Sequence, residues 1–199
     1  MQRAAVTSWL VLACGVMPLA AQAGWTARER TETYAVEGTS GAELYQSIGA
    51  RGPKIDSDRR TIAHTNFELT WTRSYQPRGR SCVLAKAVPK LTIVTTLPRA
   101  AGPLPSAVQA SWQTFVAGLR RHEAVHGGFI TDMVKAIEAQ SVGLAVADDP
   151  GCKKIRVELT GRLAALAEAQ RERSREFDRV EMRDGGNIQS LILALVNGP

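Results

Sequence analysis

Arg120-Arg121-His122-Glu123-Ala124-Val125-His126 is the stretch that decides how this chain reads. It spells H-E-x-x-H. On a helix, residues four apart stand one turn above each other on one face, so both imidazoles can grip one cation. Glu123 lies about 100° round the helix from His122, where it can take a proton from water instead of ligating. Working outward, Val108, Trp112, Phe115, Val116, Leu119, Ile130, Met133 and Ile137 fall on the same helical stripe as the two histidines. The stripe predicts one long helix that turns its apolar face, and both rings with it, toward the interior. Three histidines exist in the whole chain and two of them are here. A buried imidazole needs partners for both nitrogens, and a metal plus an acceptor supplies them. The bland alternative is two ordinary histidines flanking a solvated glutamate.

Pro105-Ser106 followed by Gln109 reads as the start of this helix, with a capping box, and the pattern runs to about Val142. Gly127-Gly128 inside it cost roughly 2 kcal/mol of helix propensity together. They predict close approach of another backbone or a substrate, with a kink as the alternative. Asp148-Asp149-Pro150-Gly151 makes a sharp turn. A second helix follows from about Cys152 to Glu181, its inward stripe marked by Ile155, Leu159, Leu163, Leu166, Gln170 and Phe177. Asp184-Gly185-Gly186 stops it, and Ser190 to Val196 reads as a short apolar helix on the body. A short turn between two amphipathic helices makes them antiparallel, so the metal helix faces the second one.

Zinc takes three protein ligands in a catalytic site, with water in the fourth place. Asp132 lies six residues after His126 but points away on a straight helix, and Glu138 also points away. His64 sits on a strand, where an isolated histidine is more often structural. The end of the second helix offers better candidates: Glu181, four residues past Phe177 on the inward stripe, or Asp178, one position round. The bland reading of both is a helix end carrying ordinary charges.

The first half is β-rich. Thr31 to Glu37 alternates as a strand. Ser40 opens a short helix to Ile48, with Glu43 completing a capping box. Gly52-Pro53 and Asp56-Ser57-Asp58 make loops. Thr61 to Trp71 alternates and is rich in strand formers. Pro77-Arg78-Gly79 turns the chain, and Cys82 to Thr96 forms a further strand or two, with Pro89 demanding a bulge or an edge position. The composite is α+β: a small antiparallel sheet in residues 24–104 packed on a long antiparallel helix pair in residues 105–199.

Met1-Gln2-Arg3, an apolar run from Ala4 to Ala20 and the exit Ala21-Gln22-Ala23 describe a secretory signal peptide over residues 1–23. Pro18, Gly15 and Thr7-Ser8 interrupt the run, which leaves it short for a stable membrane span. Lipid attachment at Cys14 is the weaker reading, and no later segment is apolar enough to cross a bilayer. Removing the leader removes Cys14 and keeps Cys82 and Cys152. In an oxidising compartment such a pair favours one disulfide; ligation of the metal is the alternative, although neither cysteine lies in a C-x-x-C. The formal charge of the whole chain is +6. Its arginines are scattered, interleaved with acids and free of an aromatic stacking pattern, which argues against a nucleic-acid partner.

The order of several short motifs resembles a bacterial family of predicted secreted zinc-dependent proteases, domain of unknown function 922. They are Tyr34-Ala35-Val36-Glu37-Gly38, Ala63-x-Thr65, Trp71, Cys82-Val83 and Leu97-Pro98. Further on come Trp112-x-x-Phe115, Arg121 to His126, Gly151-Cys152, and Phe177-Asp178 before Asp184-Gly185-Gly186. The resemblance spans nearly all of residues 24–199 and implies one zincin-like domain, secreted or periplasmic, with a Cys82–Cys152 disulfide. It implies a peptidase that acts on a peptide or protein substrate, with zinc at His122 and His126 and Glu123 as general base. The family often has a histidine a few residues after the aromatic–aspartate pair. Arg179-Val180-Glu181-Met182-Arg183 has none, so the third ligand falls to Glu181 or Asp178. Two alternatives follow from the same residues: a non-catalytic envelope protein that binds a peptide or partner in a degenerate cleft, and a metal-storage protein without chemistry.

Overall fold

The computed structural model describes residues 24–55 and 59–198. The leader reading over 1–23, with Cys14, and the Asp56-Ser57-Asp58 loop lie outside the described residues. The chain runs β1 (Arg28–Val36), α1 (Gly41–Arg51), β2 (His64–Arg78), β3 (Ser81–Ala100), α2 (Ser106–Ser141), β4 (Ala145–Val146), α3 (Lys154–Met182) and α4 (Asn187–Val196). Among the described residues, those up to 104 are therefore strand-rich and those from 105 on mostly helical, as their periodicities require.

β3 is the spine. β2 folds back on it through a turn at Gly79-Arg80 and pairs antiparallel along its whole length, from Arg78↔Ser81 to His64↔Thr96. The opposite edge of β3 is shared. β4 pairs antiparallel with Cys82 and Val83, while β1 pairs parallel with Thr92 to Ala100. The expected all-antiparallel sheet is thus corrected to a mixed one. The reason is topological: α1 and β2 intervene between β1 and β3, so the chain has already reversed once before β3 returns beside β1. Pro89 sits in β3 opposite Trp71 of β2, between the β4-paired and β1-paired stretches, so the other edge of β3 is unpaired at this point, in keeping with the expected edge position. The one register shift in that hairpin falls instead at Ser74/Tyr75, opposite Lys86 and Leu84.

Ser40 caps α1, accepting from the Glu43 N–H while the Glu43 carboxylate reaches back to the Ser40 N–H, the expected capping box. At the start of α2 that device is missing. Pro105 is the cap residue, Ser106 lies inside the helix, and no side chain caps it. Asp149 caps α3 instead: its two carboxylate oxygens accept the N–H groups of Lys153 at 2.7 Å and Ile155 at 2.9 Å. α2 passes Gly127-Gly128 without interruption. A Cβ at Gly127 would meet Ile93 of β3 at an ordinary 3.5 Å, and one at Gly128 would meet nothing within 4 Å. The tighter glycine is Gly41, where a Cβ would overlap the Leu195 carbonyl of α4.

Three apolar clusters hold the layers. Val36, Leu44, Ile48, Leu97, Trp112, Phe115, Leu119, Ile188 and Leu195 join β1, α1, β3, α2 and α4. Leu91, Ile93, Ile130, Met133, Val134 and Ile137 join β3 to α2, and Leu163, Leu166 and Ala167 of α3 pack against them. Leu84, Ala87, Ile155 and Leu159 close the far end around the Cys82–Cys152 disulfide, which ties β3 to the start of α3. Each such fully buried aliphatic or aromatic side chain contributes about 1.5–3 kcal/mol. The result is an α3 that returns along α2, with Arg173 on Asp132 and Asp178 on His126, so the two helices run antiparallel. None of the described helices is long and apolar enough to cross a membrane. The disulfide is compatible with an extracytoplasmic location.

Candidate metal centre

Both imidazoles lie on the inward face of α2, as their spacing demands. His122 is 9% exposed and Glu123 5%, so the glutamate is not the solvated one of the bland alternative. The antiparallel return of α3 then sets Asp178 against both rings. Its Oδ1 stands 3.1 Å from His122 Nε2 and 2.9 Å from His126 Nε2, and the two Nε2 atoms are 3.1 Å apart. Among the described residues these three form a group that could hold a metal ion.

Protons alone satisfy this triangle badly. If both Nε2 atoms donate to Asp178, they face each other donor to donor; if one accepts from the other, its bond to Asp178 is lost. Three lone pairs aimed at one cation remove the conflict. The separations also suit one, because the edge of a tetrahedral zinc site with nitrogen and oxygen ligands is roughly 3.3 Å. On the other edge of the ring, His122 Nδ1 is a buried nitrogen without a hydrogen-bond partner. The residues present therefore fit a divalent metal.

The electrostatics agree with the geometry. Partial burial pushes the Asp178 carboxyl up, but hydrogen bonds from His122 and His126 and their charge outweigh it and hold the group well below the usual carboxylate range. Burial pushes His122 down, yet the hydrogen bond with Asp178 and the charges of Glu123, Asp178 and Glu181 raise it above an ordinary imidazole. Three carboxylates around two imidazoles favour positive charge at this point.

Aromatic rings fix the histidines. Phe177, one residue before Asp178, stacks on His122 with centroids 4.7 Å apart and planes 21° apart. It meets His126 edge-on at 5.4 Å, and Phe129 stands edge-on to both Phe177 and His126. Neither ring can swing without breaking these contacts.

Glu123 points toward β2. Its Oε2 accepts a hydrogen bond from the Thr65 hydroxyl at 2.7 Å. His122, Glu123, His126, Asp178 and Thr65 all line one open cleft of about 1570 Å³ between the start of β2, α1, α2 and the end of α3. The importance of Thr65 follows from no spacing; strand alternation shows only that it shares a face with Phe67. Phe177 was readable as stripe but not as the support of a ring.

The other candidates fall elsewhere. Glu181 approaches the opposite nitrogen of His122, with Oε2 at 3.6 Å from Nδ1. Asp132 pairs with Arg173, and Glu138 accepts from the indole of Trp25. His64 lines the cleft but is not in the triangle. Cys82 and Cys152 are bonded to each other and are not ligands.

Comparison with known proteins adds one finding. A family profile described as "Bacterial protein of unknown function (DUF922)" matches residues 31–186. That span is well over half of the chain and includes every residue of the triangle, so the chain belongs to this family. No curated protein and no solved structure matches it.

Proposed function

We propose that this member of the family is an exported zinc-dependent metallopeptidase, its residues 1–23 a signal peptide and its single domain acting in the periplasm or outside the cell. The observation that carries the reading is the triangle of His122 Nε2, His126 Nε2 and Asp178 Oδ1, with sides of 2.9–3.1 Å, beside a buried glutamate in an open cleft. His122, His126 and Asp178 would hold the metal. Zinc, when bound, supplies Lewis acidity that polarises a carbonyl and makes water a nucleophile near neutral pH.

The chain's own residues would do the rest. Thr65 holds the Glu123 carboxylate toward the cleft. Glu123 takes the proton of the attacking water and then passes it to the leaving amine. Phe177 and Phe129 keep both imidazoles in place through these steps. The cleft is large and open enough to admit a segment of polypeptide.

Replacing Glu123 by Gln tests the reading, with zinc content and hydrolysis of a denatured protein substrate measured together. Zinc retained and hydrolysis lost supports it. Unchanged hydrolysis rejects Glu123 as the base. Zinc bound by the unaltered chain with no hydrolysis of any peptide pool leaves a binding or storage protein.

A further inference from the structure

We propose that Glu181 is a positioning residue: its carboxylate accepts the Nδ1 proton of His122 and so holds that ring with Nε2 free for the metal. The inference rests on the metal reading above and refines it, moving Glu181 from candidate ligand to outer partner.

A neutral imidazole carries one proton. If the Nε2 lone pair points at a cation, the proton sits on Nδ1. That nitrogen is buried and has no hydrogen-bond partner. A buried donor left unpaired costs about 1–3 kcal/mol, so an acceptor is called for. The face of the ring is covered by Phe177, which leaves the nitrogen edges as the places a polar group can reach.

Glu181 Oε2 stands 3.6 Å from Nδ1, just outside hydrogen-bonding distance, on a side chain only 18% exposed. Asn187 at the start of α4 donates to the same oxygen at 3.0 Å and steadies it. The terminal torsion of a glutamate is soft, so a small rotation closes the gap.

Helix geometry explains why one element serves both edges of the ring. Asp178 and Glu181 are three residues apart and share a face of α3. Asp178 meets Nε2 and Glu181 meets Nδ1, so one turn of α3 grips both edges of His122. The same spacing explains why the sequence left the two acids as rivals for one role.

The test compares the unaltered chain with Glu181→Ala, Glu181→Gln and His122→Ala. Zinc dissociation constants are measured by chelator competition at neutral pH, and melting temperatures with and without zinc. Glu181→Ala should weaken zinc about 10–100-fold, and Glu181→Gln, which keeps an acceptor, should weaken it less. The metal-free melting temperature of both should match the unaltered chain.

Unchanged affinity in Glu181→Ala overturns the proposal. So does a loss as large as that of His122→Ala, which would make Glu181 a ligand. An equal drop in melting temperature with and without zinc also overturns it, since the role would then be merely structural. If the unaltered chain binds no zinc, the reading of the site itself fails and takes the inference with it.

Discussion

Thr65 on β2 and Glu123 on α2, 58 positions apart in the chain, are joined by a 2.7 Å hydrogen bond from hydroxyl to carboxylate. This contact ties the strand half of the molecule to the helical half at the residue proposed as general base. Replacing Thr65 by Val keeps the shape and removes the donor. Glu123 is then left buried and short of a partner, which should cost about 1–3 kcal/mol and lower the melting temperature. Hydrolysis should fall while zinc content holds, and Thr65→Ser should restore both readouts. A Thr65→Val protein that melts and hydrolyses like the original would remove this bond from the argument.

Asp178 completes the triangle from a different helix, so its loss should separate a three-ligand site from a two-ligand one. Asp178→Ala is expected to weaken zinc by more than the roughly 10- to 100-fold typical of an outer partner. Isothermal titration of the metal-free protein checks this directly. Equal affinity with and without the carboxylate would mean that the two histidines bind nothing together with Asp178.

The Cys82–Cys152 bond closes a loop spanning 70 positions. On the chain-entropy account, a loop of that length stabilises the fold by about 4 kcal/mol. Reduction, or the Cys82→Ala/Cys152→Ala double variant, should therefore lower the urea midpoint clearly. The site lies at the other end of α3 and should keep its metal below the new transition. A midpoint that does not move would show that α2–α3 packing holds the helices without the bond.

Asp149 gives a pH signature. Burial pushes its carboxyl up, but the N–H groups of Ile155, Lys153 and Lys154 and the Lys154 charge outweigh this and depress it. A depressed acid stabilises the fold fully above its unfolded value, about 3.9, and loses that contribution as the pH falls through its folded value. The melting-temperature gap between the unaltered chain and Asp149→Ala should thus be steady from neutral pH to about 5 and narrow in more acid solution. A gap that widens on acidification would contradict the cap.

Much of this molecule could be read from local pattern. The stripe from Val108 to Ile137 made α2 a single inward-facing helix, and Ser40 with Glu43 marked the start of α1. The two imidazoles one turn apart on that stripe marked the candidate site. At Ser106, local pattern misled: a serine and a glutamine three apart match a capping box, but the chain enters the helix one residue earlier, at Pro105. At Pro89 it asked for a bulge or an edge, and the structure gives a local edge, the stretch of β3 between its β4 and β1 partners.

Residue spacing alone determined that His122 and His126 share a helix face, because 3.6-residue periodicity acts within one turn; the cysteine count favoured a Cys82–Cys152 bridge over metal ligation, and the structure shows the bond. Only the tertiary structure decided that β1 runs parallel to β3, that Asp178 rather than Glu181 meets the Nε2 atoms, and that Thr65 holds Glu123. Those outcomes depend on strand direction and on the rotation and offset of α3 against α2. The placing of α3 rests on packing of Leu163, Leu166 and Ala167 against Ile130, Met133 and Ile137 of α2, and of Ile155 and Leu159 against Leu84 and Ala87 of β3, contacts that no local window contains.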